Sequence, residues 1–165
     1  MYSDHREILE YLQRNREFSY HSTLQSTLPK VLLLAAASEF EDRVCEILLQ
    51  YIRDHTTDPK IVLLVEQKAV RRQYHTLFDW DTKHAGKFWS LFGPDYKDKM
   101  KRCCSDDLQL ADSISAFLEL GALRNRMVHN NYASFVLDKT LDEVNVLYEQ
   151  GAFFVTRLPE LLKLQ

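Results

Sequence analysis

The sequence has little glycine and little proline: four of each among 165 residues. Residues that interrupt helices are therefore scarce. No stretch is low in complexity or visibly repeated, which argues against a long flexible linker or a solenoid. A chain of this length fits one domain of ordinary size. We expect a single domain that spans residues 1–165.

Long apolar runs are also lacking. The longest, from Val31 to Ala37, is far shorter than the ~18 residues that indicate a membrane span. The first residues, Met1 to Glu7, lack the basic start and apolar stretch of a signal peptide. These absences predict a soluble, cytoplasmic protein that has no membrane partner.

Sequence features of metal and cofactor sites are missing as well. The three cysteines are odd in number, Cys103 and Cys104 are adjacent, and no cysteine or histidine spacing is typical of zinc. No glycine-rich phosphate loop and no Gly-x-Ser-x-Gly elbow occurs. We expect reduced thiols, no bound metal and no cofactor.

Excess positive charge is absent too, because the formal net charge is -3. This value argues against a protein coated in basic residues that binds nucleic acid indiscriminately. The local exception is the segment from Lys97 to Arg102, which could meet a phosphate backbone. A solvated helix face is the simpler interpretation of this segment.

What the sequence does contain is apolar residues spaced by three and four along most of its length. We predict an all-α helical bundle of four to five main helices with one or two short extra helices. The first predicted helix covers residues 3–27, with Ser3 or Asp4 as its cap and a break within 20–26. The second covers residues 29–55, with Pro29 in its first turn. The third covers residues 57–77, with Asp58 as its cap and Pro59 as its first helical residue. One or two short helices are predicted within residues 78–104, around a turn at Gly93-Pro94. A longer helix is predicted over residues 105–130, with its cap within Ser105-Asp106-Asp107 and its end at Asn130-Asn131. The last predicted helix begins at residue 138 or 140 and ends at residue 162.

Aromatic residues accumulate between Phe78 and Tyr96. Aromatics beside lysine and arginine can stack on bases. At this density their usual position is the core, and we predict that position here.

The candidate site is the polar end of the helix predicted over 105–130. Within it, Arg124, Asn125, Arg126 and His129 combine two fixed cations, an amide and an imidazole. Arginine matches phosphate oxygens with a planar fork, and histidine exchanges protons near neutral pH. The set suits chemistry on a phosphodiester. It also suits a polar helix end, so a structural role for His129 stays open, and the other histidines are interpreted as structural.

The letter pattern alone discriminates poorly, because Arg14-Asn15 stands at a similar distance from His21. On a regular helix, Asn125 lies about 40° and Arg126 about 60° from His129, whereas Arg124 lies about 140° away. We therefore expect either that the helix loosens at its end or that a second copy supplies the missing group.

The segment from Arg124 to His129, which ends the penultimate long helix of an all-helical chain, resembles the Arg-x(4–6)-His motif of HEPN domains. Its Arg-Asn form is the one that their ribonucleases favour. Residues 38–43 on the second helix and residues 88–93 before the motif helix are similar to a bacterial subset of HEPN-like nucleases. The resemblance extends over residues 29–162.

The resemblance implies a metal-independent endoribonuclease. The RNA 2′-hydroxyl would attack the adjacent phosphate and leave a 2′,3′-cyclic phosphate and a 5′-hydroxyl. His129 would act as general base or acid, Arg124 would stabilise the phosphorane charge, and Asn125 would orient the substrate or His129. Arg126 and Asn130 are the expected further contacts to substrate.

Partners and regulation are implied only by the resemblance: RNA, a second copy with the motifs facing each other, an antitoxin protein, and a toxin–antitoxin or phage-defence setting. Tyr132 is a conceivable target of a modifying nucleotidyltransferase. Glu39, Glu41 or Asp42 could orient an arginine from another helix. The alternatives are a catalytically silent HEPN module that binds a protein or nucleotide, and a helical scaffold that has no site.

Overall fold

The computed structural model describes residues 1–164, which form α-helices and one π-helical turn without a β-strand. The all-α prediction is therefore confirmed. No helix in this range is both long and apolar enough to cross a bilayer. The helices are α1 Tyr2–Arg14, α2 Phe18–His55, α3 Pro59–Val65, α4 Tyr74–Leu77, α5 Gly86–Ser90, α6 Pro94–Asp106, α7 Leu108–His129 and α8 Leu141–Leu162, with the π-helical turn at Glu66–Val70.

The break between the first two helices lies earlier than predicted. It falls at residues 15–17 rather than within 20–26, and no side chain caps α1. Arg16 adopts the left-handed conformation with φ 61°. The Glu17 N–H then bonds the Leu12 carbonyl at 2.9 Å and the Arg16 N–H bonds the Gln13 carbonyl at 3.2 Å. This pair of bonds is the Schellman arrangement, which ends a helix by satisfying its last carbonyls.

Pro29 lies inside α2 instead of starting it, so the second predicted helix begins eleven residues too late. Proline removes one helical hydrogen bond. Leu28, Leu32 and Leu33 are buried on both sides of it, and packing of this apolar face keeps the helix continuous. The predicted C-terminal end at His55 is confirmed.

The third predicted helix is divided into three pieces. Its start is confirmed: Pro59 is the first residue, and the Asp58 carboxylate accepts a hydrogen bond from the Lys60 N–H at 2.9 Å. A π-helical turn follows, and α4 begins only at Tyr74. Val70 at the end of the π-helical turn and Tyr74 at the start of α4 are both buried.

The core lies between α2, α7 and α8, and an aromatic cluster from the segment before α7 joins it. Phe117 of α7 is at its centre, with ring centroids 5.0 Å from Phe78, 5.1 Å from Phe154 and 5.6 Å from Phe40. Phe88 is fully buried as well. The predicted core position of these aromatics is confirmed for Phe78 and Phe88.

The helix that carries the candidate motif begins at Leu108, not at Ser105. The preceding α6 continues through Asp106, and the Asp107 carboxylate caps α7 by accepting from the Leu110 N–H at 2.9 Å. At the other end Asn130 is extended, with φ -107° and ψ 169°, rather than left-handed. Its amide instead donates to the Arg126 carbonyl, which satisfies one of the last carbonyls of the helix.

The last helix begins where the sequence indicated. Thr140 and Glu143 form a capping box, in which the Thr140 hydroxyl accepts from the Glu143 N–H and the Glu143 carboxylate accepts from the Thr140 N–H. The long helix that follows packs along α7 and α2 and ends at Leu162, as predicted.

Candidate functional site

The polar motif occupies the last two turns of α7. The helix stays regular through His129, and the Asn130 N–H still bonds the Arg126 carbonyl at 3.2 Å. Arg124 and Asn125 are half-buried, and His129 is exposed. The expected loosening of the helix before His129 is therefore wrong.

Arg124, Asn125 and His129 nevertheless line one cleft, whose volume is about 380 Å³. Helix α2 contributes Glu41 and Phe40 to the opposite wall. Because the arginine side chain is long and flexible, the 140° between the two Cα–Cβ directions does not keep its guanidinium out of a space that His129 also borders. One chain thus brings the three motif residues together.

The guanidinium of Arg124 is held from two sides. Its Nη1 donates to the Asn125 Oδ1 at 3.2 Å, and its Nη2 lies 3.9 Å from the Glu41 Oε2. The Arg124 and Glu41 side chains are 36% and 37% exposed, so this ion pair contributes at most about 1 kcal/mol to stability. A guanidinium has five N–H donors, and two contacts leave donors that can meet an anion in the cleft.

Of the three carboxylates proposed to orient an arginine, the structure brings Glu41 to Arg124. Glu39 is engaged elsewhere: both of its oxygens accept from the Tyr148 hydroxyl, at 3.0 and 2.9 Å, and it pairs with Arg43 at 3.4 Å. Glu39 therefore connects α2 to α8. Asp42 is exposed, about 100° around the helix from Glu41.

Arg126, Asn130 and Tyr132 are not among the described residues that line the cleft. Arg126 is exposed, and the Asn130 amide caps α7. Tyr132 is 41% exposed, and the Lys30 ammonium lies 5.2 Å from the centre of its ring. Lys30 also donates to the Tyr132 carbonyl at 3.3 Å.

Three cleft residues whose side chains carry polar groups were not identified from the sequence: Tyr74, His75 and Trp80. His75 is exposed, and its carbonyl accepts from the Trp80 indole N–H at 2.8 Å. The Trp80 ring lies directly on Gly121, because a Cβ at that position would overlap it. A helical pattern could not have found these residues, since α4 and the following loop lie next to α7 only in the folded chain.

The wall of the cleft near Tyr74 is poorly solvated. Burial raises the pKa of the Tyr74 phenol well above its usual value, the negative charge of Glu41 raises this pKa further, and the positive charge of Arg124 lowers it. Tyr74 is therefore a neutral hydrogen-bonding group at physiological pH and not a proton acceptor.

The three cysteines are free in the structure, and burial raises the pKa of Cys45 to about 11, so that this thiol stays protonated at neutral pH. Within residues 1–164, no group of three or more histidine, cysteine, aspartate or glutamate side chains is placed to hold a metal ion.

A comparison with protein families finds one that matches almost the entire sequence. The model of the family HEPN_RiboL-PSP, described as RiboL-PSP-HEPN, matches residues 1–163. The match extends further toward the N-terminus than the motif resemblance and includes α1. No curated protein and no solved structure matches the chain significantly.

Proposed function

The chain belongs to the RiboL-PSP-HEPN family, and from that premise we propose that it is a metal-independent endoribonuclease whose active site is the cleft of α7. The observation that carries the proposal is the meeting of Arg124, Asn125 and His129 in one cleft. These are the residues that the Arg-Asn form of the HEPN motif would use.

The proposed reaction is transesterification within RNA. The 2′-oxygen attacks the neighbouring phosphorus, the bond from phosphorus to the 5′-oxygen breaks, and a 2′,3′-cyclic phosphate remains. One group takes the proton of the 2′-hydroxyl, and another gives a proton to the leaving 5′-oxygen. His129 serves as one of these groups, and such help is typically worth ~10²–10⁴-fold in rate.

Arg124 stabilises the charge that develops on the phosphorane. Its contacts to Asn125 and Glu41 orient the guanidinium before substrate arrives, so that little reorganisation is needed during the reaction. Asn125 has a positioning role in this scheme, since its carbonyl oxygen already holds Arg124.

The second proton-transfer group has two candidate sources. His75 lines the same cleft and would complete an acid–base pair within one chain. Alternatively, a homodimer that places two motifs face to face would supply a second His129. Val128, which adjoins His129 in the chain and is 44% exposed, would lie in such an interface.

The biological setting that we propose is a toxin–antitoxin or phage-defence system, with an antitoxin protein as the partner that restrains the enzyme. This part rests on the resemblance to HEPN ribonucleases. The half-exposed Tyr132, beside Lys30, is the proposed position for modification by a nucleotidyltransferase-type partner.

The decisive experiment is cleavage of RNA by purified protein in excess EDTA, with analysis of the product ends. We expect cyclic phosphate and 5′-hydroxyl ends from the wild-type protein and no cutting by His129→Ala. Cleavage that survives in His129→Ala, or that requires a divalent metal, would overturn the proposal.

The silent binding module has less support than the ribonuclease. That alternative would have gained from a His129 buried against carbonyls. His129 is instead exposed and borders a cleft together with Arg124.

A further inference from the structure

A second cavity, of about 410 Å³, lies between α5, α6 and the N-terminal half of α7. This volume is within the range of ligand pockets. Lys83, Lys97 and Lys101 line the cavity and are exposed, and the apolar groups that a ligand can reach in it are those of the half-buried Ala111 and Cys104. We call it the lysine cavity.

The lysine cavity is strongly cationic at a local level, although the whole chain carries a net charge of -3. No aspartate or glutamate is among the described residues that line it. The three lysines are exposed, and none of them forms an ion pair with another residue of the described range 1–164. The ammonium groups therefore remain available to an anion from outside the chain.

The lysine cavity and the Arg124 cleft lie along one face of α7. Ile114 lines the first and Gly121 the second. Seven residues of helix separate them by about 10 Å with a rotation of only about 20°. The loop after α4 connects the two, since Trp80 borders the cleft and Lys83 borders the lysine cavity.

We infer that the lysine cavity is a nucleotide subsite for the RNA strand whose scissile phosphate lies against Arg124 and His129. A base and its ribose would contact the accessible apolar groups of the cavity, and the adjoining phosphate would meet Lys97 and Lys101. A positively charged groove that follows the backbone is a usual means of holding single-stranded nucleic acid. This inference rests on the proposed function, because it takes the same RNA as the ligand.

The inference also gives a role to the basic segment of residues 97–102. The sequence alone favours the interpretation of this segment as a solvated helix face. Two of its lysines, Lys97 and Lys101, are four residues apart and therefore share one side of α6. That side faces the cavity. The segment thus contributes cations at one defined place and not along a general basic surface.

The test is equilibrium binding of fluorescent single-stranded RNA to protein in the His129→Ala background, which does not cut its ligand in the proposed scheme. The probes are a decamer, a dinucleotide and a free mononucleotide, each measured over a series of salt concentrations. The test variant is Lys97→Ala combined with Lys101→Ala. The matched control is Lys60→Ala combined with Lys163→Ala, which removes two exposed lysines outside both cavities.

Loss of both lysines that meet this one phosphate should weaken decamer binding by about tenfold and make its salt dependence shallower by about 0.7 in log–log slope. The dinucleotide, which is too short to occupy both places, should lose less than the decamer. The control variant should bind the decamer as the parent does. All four lysines are exposed, so thermal unfolding of both variants should match that of the parent.

Equal decamer affinity in the test and control variants would overturn the inference. A loss confined to the mononucleotide would overturn it as well, because the cavity would then hold a free nucleotide and not the strand. Cleavage by wild-type protein is measured in parallel. If wild-type protein cuts nothing while the lysine variant loses decamer binding, the proposed function fails and the subsite stands as an RNA-binding site.

Discussion

Two regions of the chain carry almost the same letters. Arg14-Asn15-Arg16 is followed by His21, and Arg124-Asn125-Arg126 is followed by His129. Both lie at the C-terminal end of a helix. They differ in what happens after the asparagine.

In the first region the helix ends at Arg14, and Arg16 reverses the backbone, so that His21 belongs to the next helix. The Arg14 side chain turns back to Glu10, and the Asn15 amide donates to the Tyr11 carbonyl at 2.8 Å. These polar groups serve to end a helix. The surface pocket that Arg14 borders does not include His21 among its lining residues.

In the second region the helix continues to His129, and its polar residues face α2 and α4. The Asn125 Oδ1 accepts a hydrogen bond from the Arg124 guanidinium, whereas the Asn15 amide donates to a backbone carbonyl of its own helix. The comparison teaches that the neighbouring helices, and not the motif letters, give these side chains a common space in which to act.

The largest expected effect separates the two histidines. His129→Ala should lower RNA cleavage by about 10²–10⁴-fold, because it removes a proton-transfer group. His21→Ala should leave the rate unchanged. Single-turnover cleavage of labelled RNA in EDTA measures both, with circular dichroism as the check on folding. Equal losses in the two variants would remove the distinction between the regions.

The two arginines form the next pair. Arg124→Ala should cost about 10²–10³-fold in cleavage rate, as loss of a preorganised charge-stabilising donor does. Arg124→Lys should recover only part of this, since an ammonium lacks the planar fork. Arg14→Ala is the matched control, and we expect wild-type kinetics from it. A fully active Arg124→Ala protein would contradict the proposed role.

The floor of the cleft, where the Trp80 ring lies on Gly121, can be tested by substitution of the glycine. In Gly121→Ala the new methyl group would overlap the Trp80 ring, which the bond to the His75 carbonyl holds in place. We expect destabilisation of about 1–3 kcal/mol, typical of an overpacked site. Gly86→Ala is the control, because its nearest neighbour is the rotatable His84 side chain at 3.1 Å. Urea denaturation compares the two, and equal stability of both variants would show that Trp80 can move freely.

The smallest expected effect concerns the caps of the two motif helices. Asp107→Ala removes the N-cap of α7 and should lower the free energy of unfolding by about 1 kcal/mol. Asp4→Ala in α1 should change stability little, since no side chain caps that helix. Thermal unfolding followed by circular dichroism is the measurement. A larger loss in Asp4→Ala than in Asp107→Ala would reverse this part of the comparison.

Much of the fold follows from local rules that the sequence displays. Asp58 before Pro59, and Thr140 before Glu143, mark helix starts because the capping groups are close neighbours in the chain. The break near Arg16 was predicted in the wrong place because a non-glycine residue takes the left-handed conformation there. Pro29 was predicted in the first turn of a helix but lies inside α2, because tertiary packing tolerates a proline that helix propensity would reject.

The candidate site was predictable only along one helix. Arg124, Asn125 and His129 are one, four or five residues apart, and a helix places such residues in a known relation. The choice of Glu41 over Glu39 and Asp42 was not predictable, because it depends on how α2 packs beside α7. The helical angle of 140° also misled, since it describes Cα–Cβ directions and not the reach of an arginine.

The sequence by itself determined an all-helical chain and a polar helix end suited to phosphate, because apolar spacing and side-chain chemistry are local properties. Only the tertiary structure decided which of two similar motifs has a cleft, and it added His75, Trp80 and the lysine cavity. The physical reason is distance along the chain. Residues such as Glu41, His75 and Arg124 meet through packing of separate helices, and no periodicity within one helix encodes that meeting.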